Sequence, residues 1–113
     1  MTLREYQSLF VRLLPRLIDF AYAQGYELTL GEALRTQEQA NLNAKSGSGI
    51  SNSLHIDKLA IDLSLFIGGK YVKDSAAYLP LGEFWEQQHP LCRWGGRFKD
   101  GNHFSLSPDG KRA

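Results

Sequence analysis

The chain has three histidines, His55, His89 and His103, and two of them stand beside Gly/Ser/Asn-rich loops at the mouths of predicted strands. His55 precedes a long apolar strand, Asp62 lies within that strand, and His103 opens the last strand. Two neutral imidazoles and one carboxylate make a three-ligand set of the kind catalytic zinc uses, leaving a fourth position for water. Zinc held there would lower the pKa of that water to about 7 and generate a nucleophile at neutral pH. A histidine in a strand also reads as a hydrogen-bonded structural residue, and the spacing of His55 and Asp62 by itself leaves both readings open. Asp100, with Gly101, spells a turn three positions before His103.

These residues need a frame. Leu3, Tyr6, Phe10, Leu13, Leu14, Leu17 and Ala21 recur at three- and four-residue steps and predict an amphipathic helix. Thr2 and Glu5 read as its capping box, Gly25 as its stop, and Pro15 as the site of a kink. Tyr26 to Leu30 alternates as a short strand. A second helix is expected from about Gln37 to Ala44, capped by Thr36, and Lys45 to Ser53 has the composition of a loop beside a site. Lys58 to Ile67 is the strongest strand signal; it turns at Gly68-Gly69 into Lys70-Tyr71-Val72, a β-hairpin. There Leu59, Ile61, Leu63, Leu65 and Ile67 share one face, and Asp62 and Ser64 the other. Pro80 to Gln88 predicts a helix with Leu81, Phe84 and Trp85 inward. In the last strand, His103 to Leu106, His103 and Ser105 face one way and Phe104 and Leu106 the other.

At 113 residues and 42% hydrophobic content, the chain suits one domain over residues 1–113. Thirteen basic and twelve acidic residues, with no basic run beyond Lys111-Arg112, argue against a nucleic-acid partner. A single cysteine, Cys92, excludes an internal disulfide. Arg4, Glu5, Arg12, Arg16 and Asp19 interrupt the N-terminal stretch, which therefore reads as neither a signal peptide nor a membrane span. A chain made in the cytoplasm, with no stable membrane insertion, is expected. His89, beside Pro90 at a predicted helix end, reads as structural, and Trp85 and Trp94 as packing residues.

Ser53-Leu54-His55-Ile56-Asp57-Lys58-Leu59-Ala60-Ile61-Asp62 resembles the Ser-x-His-x-x-Gly-x-Ala-x-Asp signature of the M15 metallopeptidases, the D-alanyl-D-alanine carboxypeptidase and L-alanyl-D-glutamate peptidase group. Asp100-Gly101-Asn102-His103-Phe104 resembles that family's second signature, an acidic residue three positions before the final His. Gly68-Gly69-Lys70-Tyr71 and Trp94-Gly95-Gly96-Arg97-Phe98 look like its phage endolysin branch. The resemblance runs from about Glu32 to Leu106. It implies an α+β fold of the Hedgehog/DD-peptidase-like kind, a small antiparallel sheet packed against helices with the metal site on the sheet. It further implies one Zn2+ per chain on His55, Asp62 and His103, with Asp100 as catalytic acid/base. Arg35 would lie near the substrate and stabilise its oxygen atoms, as a planar guanidinium can. Ser53 would contact substrate. Left to themselves, these two read as an exposed arginine at a helix start and an ordinary loop serine.

The expected activity is hydrolysis of a peptide bond in the stem peptide of bacterial peptidoglycan, foremost between L-alanine and D-glutamate. A D-alanyl-D-alanine carboxypeptidase of the same family, a non-catalytic zinc-stabilised module binding wall peptides, and a metal-free phage assembly protein are the alternatives. The implied partners are peptidoglycan stem peptides, met by a monomer after release from the cytoplasm, as in phage lysis. Two departures from the pattern stand out. Lys58 occupies the glycine position of the first signature, so a backbone that needs positive φ cannot be assumed there. Asp100 replaces the glutamate of the dipeptidase branch, which favours the endolysin-like group.

Overall fold

Thr2 starts the first helix because its hydroxyl accepts the Glu5 N–H at 3.2 Å while the Glu5 carboxylate accepts the Thr2 N–H at 2.9 Å. Two otherwise unbonded donors are thereby satisfied, and these bonds hold the Glu5 carboxyl below its ordinary range. The computed structural model describes residues 1–31 and 58–108; the expected helix at 37–44 and the loop at 45–53 lie outside them. Helix α1 (Leu3–Ala23) buries Phe10, Leu13, Leu17 and Ala21. Leu3, expected on that stripe, is 50% exposed, because burial along the helix begins only at Phe10. The helix is continuous through Pro15, which lies on the exposed side where water can serve the carbonyl its ring leaves unbonded. It ends at Gly25, whose φ of +83° suits a residue without a Cβ.

Five strands follow among the described residues: β1 (Glu27–Leu30), β2 (Ala60–Ile67), β3 (Lys70–Val72), β4 (Cys92–Trp94) and β5 (His103–Leu106). They pair antiparallel in the order β1-β2-β5-β4, with β3 also on β2. The β2–β3 turn has φ of +60° at Gly68 and +79° at Gly69, the mirror-image turn that matches strand twist. Strand β4 has no counterpart in the sequence reading. Three residues are too few to show a period, and the strand exists through its register on β5, Cys92 with Leu106 and Trp94 with Phe104. Ile67, assigned to the inward face, is 41% exposed because it stands at the hairpin end.

A short 3-10 turn (Ser75–Tyr78) leads into helix α2 (Leu79–Gln88), with Pro80 in its first turn, where a missing N–H costs nothing. Trp85 of α2 is the hub of the core. Its ring meets Phe10 of α1 edge-on at 5.7 Å and Phe104 of β5 at 6.3 Å, and its indole N–H donates to the Ser105 carbonyl at 2.9 Å. Helices therefore cover one face of the sheet, the face of Ile61, Leu63 and Leu65, all buried. The other face carries Asp62, Ser64 and Phe66, each only half-buried. The α+β architecture expected from the sequence is the one observed. No helix among the described residues is long and apolar enough to cross a membrane.

Tyr78 closes a gap in the sheet. Its hydroxyl accepts the Leu65 N–H at 3.0 Å and donates to the Val72 carbonyl at 3.0 Å, bridging β2 and β3 where the hairpin opens. Burial pushes the phenol's pKa up, favouring the neutral form that can donate. Tyr78→Phe leaves both backbone groups without this partner and is expected to cost about 1–3 kcal/mol, read by urea unfolding.

Cys92 is buried on β4, and burial pushes its thiol from 9.0 to about 12. The fold thus favours the neutral thiol, so this residue's contribution to stability is intact below pH 9 and is lost as pH rises through about 12. Stability measured across that range should fall less steeply in Cys92→Ala than in the parent; equal slopes would remove Cys92 from the alkaline transition.

Candidate active site

Asp62 and His103 are direct cross-strand partners in the β2–β5 register. Directly opposed residues project to the same face, and here Asp62 Oδ1 and His103 Nδ1 come within 3.2 Å. The imidazole is nearly buried and the carboxylate about one-fifth exposed. Two donors bound 2.0–2.2 Å from one tetrahedral zinc stand roughly 3.3–3.6 Å apart. The observed spacing is close to that and is also a hydrogen-bond distance, so a nitrogen and an oxygen donor of suitable chemistry lie side by side. Among the described residues no group of three His, Cys, Asp or Glu side chains gathers to hold a metal. The donor set fits zinc as a pair, and the expected third ligand, His55, lies outside the described residues, as do Arg35 and Ser53.

Asp100 reaches the same neighbourhood by a different route. Its backbone N–H donates to the Gly95 carbonyl at 2.9 Å, and its carbonyl accepts the His103 N–H at 3.1 Å. The expected Asp-Gly turn is therefore present, and it feeds straight into β5. A Cβ on Gly95 would stand 2.8 Å from His103 Cβ and 3.3 Å from Asp100 Cβ. The two side chains leave the backbone on either side of this one glycine. Asp100 itself is exposed, so its carboxylate sits at the surface while its main chain is held at both ends.

Several residues to which the sequence assigns no site role hold this loop. The Trp94 indole N–H donates to the Gly101 carbonyl at 2.7 Å, and the Ser75 hydroxyl accepts the Gly101 N–H at 3.0 Å. Gly101 also lies so close to Ser75 that an added Cβ would stand 2.7 Å from its Cα. Trp94, read from sequence as packing, is buried and does both jobs. Its ring leaves no room for a side chain on Gly82 of α2 or on Gly96, so it is gripped from two sides. Glu86 of α2 accepts the Trp94 backbone N–H at 3.2 Å and pairs with Arg97, whose guanidinium it pushes to a higher pKa. On the other flank, the Gly31 N–H donates to the Asp62 carbonyl at 2.7 Å; a Cβ there would meet Asp62 Cβ at 3.0 Å. In the sequence, Gly95-Gly96 and the Gly31 that follows Leu30 mark these places, and both also fit plain turns.

Lys58 keeps the backbone shape of the glycine it replaces in the first signature. Its φ is +60°, left-handed, although it is not glycine. The chain entering β2 thus takes the backbone shape glycine adopts most readily, and lysine holds it at a cost of about 1–2 kcal/mol. His89 is structural, as read: its Nδ1 accepts the Leu91 N–H at 3.1 Å beyond the end of α2.

With this geometry in place, comparison with solved structures finds the crystal structure of the L-Ala D-Glu endopeptidase ChiX of Serratia marcescens, at a TM-score of 0.73 and 21% identity, covering 87% of this chain and 77% of that one. The protein therefore has that endopeptidase's fold, in line with the DD-peptidase-like architecture expected from the sequence. No protein-family model matches the chain, and no curated protein matches it significantly.

Gly95→Ala is expected to lower stability by about 1–3 kcal/mol, since the added methyl must displace Asp100, His103 or both. Urea unfolding measures this; a variant as stable as the parent would mean the loop yields without strain.

Proposed function

We propose that the protein is a zinc-dependent peptidase that cuts the stem peptide of bacterial peptidoglycan, at the bond between L-alanine and D-glutamate. The observation that carries this reading is the cross-strand pairing of Asp62 with His103 beside the pinned Asp100 turn, on a fold shared with an L-Ala D-Glu endopeptidase. In this reading His55, Asp62 and His103 hold the metal. When bound, zinc supplies Lewis acidity, acidifying water and polarising the peptide carbonyl.

The chain's own groups supply the rest. Asp100 takes the proton that water loses as its oxygen adds to the carbonyl carbon, and gives a proton to the departing nitrogen as the C–N bond breaks. The carboxylate suits both halves because its exposure lets substrate reach it and its fixed main chain keeps it at one distance from His103. Arg35 steadies the substrate's oxygens and Ser53 orients the peptide. Trp94, Ser75 and Gly95 act one step removed, by setting where Asp100 stands.

Asp100→Asn should preserve the fold and zinc content while lowering hydrolysis of purified peptidoglycan by about 10²–10⁴-fold. Mass spectrometry of the digest names the bond: new N-terminal D-glutamate is expected, and release of terminal D-alanine would indicate a carboxypeptidase instead. A purified protein that neither carries nor takes up about one zinc per chain would overturn the metal assignment.

A further inference from the structure

The sheet face that bears Asp62 and His103 continues past them. In the observed registers Ser64 opposes Thr29, and Phe66 is flanked by Glu27 on β1 and Tyr71 on β3. Opposed residues share a face, so these side chains form a strip leading away from the Asp62–His103 pair. Phe66 is four residues beyond Asp62, about 13 Å along the strand. Its ring lies 5.5 Å from that of Tyr71 at 40°, and Tyr71 is 48% exposed. Thr29 and Glu27 are exposed, and Ser64 and Phe66 half-buried. The helices cover the opposite face, so this aromatic pair is not part of the core they enclose.

From this strip we infer a subsite for the glycan arm of the wall polymer, an inference that rests on the peptidase reading above. Two arms leave the proposed scissile bond. One is the rest of the stem peptide, which carries free carboxylates. The other passes through one alanine and a lactyl bridge, roughly two residue lengths or 7 Å, to uncharged N-acetylated amino sugars. A sugar ring offers an apolar C–H face and a rim of hydroxyl and amide N–H donors. Flat aromatic rings match the first by dispersion and apolar burial. The Glu27 carboxylate and the Ser64 and Thr29 hydroxyls match the second as acceptors. An exposed carboxylate at this point repels the anionic peptide arm and does not repel the sugar. The distance agrees too, since a disaccharide beginning about 7 Å from the bond reaches the aromatic pair.

Two substrates with the same scissile bond separate the arms: a disaccharide-linked stem peptide and the free stem peptide. The wild-type protein is expected to favour the linked one in kcat/KM, mainly through KM. Tyr71→Ala and Glu27→Gln should each lower that preference about three- to ten-fold. A preference unchanged in both variants would overturn the subsite. If the wild type cuts neither substrate, the peptidase reading falls, and a separate titration decides the subsite. An N-acetylglucosamine oligomer added to 15N-labelled protein should shift the amide signals of Glu27, Phe66 and Tyr71, and no shift at millimolar sugar would overturn it.

Discussion

The β2–β5 register decides which polar side chains meet on the open face of the sheet. Shifting it by one residue would turn His103 away from Asp62 and put Phe104 on the polar face. The register is held from both faces at once. Behind the sheet, Phe104 packs edge-on against Trp85, whose indole also donates to the next carbonyl in β5. At the strand's start, the Leu63 N–H bonds to the Asn102 carbonyl at 2.8 Å, extending the ladder into the turn. The hydrophobic core and the polar pair are two consequences of one alignment, because strand side chains alternate.

The Asp100 loop shows a different solution to the same need for precision. In the role proposed for it Asp100 must be reachable by substrate, and exposed loops are ordinarily mobile. Here the short segment from Trp94 to His103 is tied at nearly every step: to β4 through Gly95, to the 3-10 turn before α2 through Ser75, and to α2 through Glu86 and Arg97. The glycines in it are there because neighbouring atoms occupy the space a side chain would need. Gly95 admits His103 and Asp100, Gly96 admits Trp94, as does Gly82 in α2, and Gly101 admits Ser75. A loop so tied has little conformational entropy left to lose, which is the physical meaning of preorganisation.

The left-handed conformation at Lys58 fits the same picture. A strained residue two positions before β2 persists because the residues that follow it are overdetermined, with Leu59 and Ala60 both buried. The Leu59 carbonyl also accepts the Leu106 N–H at 2.8 Å, so the entry into β2 is bound to the end of β5.

Much of the framework is legible in the chain. The first helix follows from its apolar steps and its Thr2–Glu5 box, the β2–β3 hairpin from alternation around Gly68-Gly69, and the separation of Asp62 from the apolar face from strand parity alone. These are local properties, decided by backbone geometry over a few residues. Strand β4, the role of Tyr78 in bridging β2 and β3, and the grip of Trp94, Ser75 and Gly95 on the Asp100 turn are decided by residues far apart in sequence. No local pattern encodes them, because a three-residue strand or a glycine with a neighbour in place of its side chain looks like an ordinary turn until its partner is known. The residue types His103, Asp62 and Asp100 offer donor atoms whose metal-binding and structural readings the sequence by itself leaves open. Tertiary structure alone sets Asp62 and His103 3.2 Å apart, since that distance is fixed by the packing of Trp85 and Phe104 behind the sheet and by the register that packing enforces.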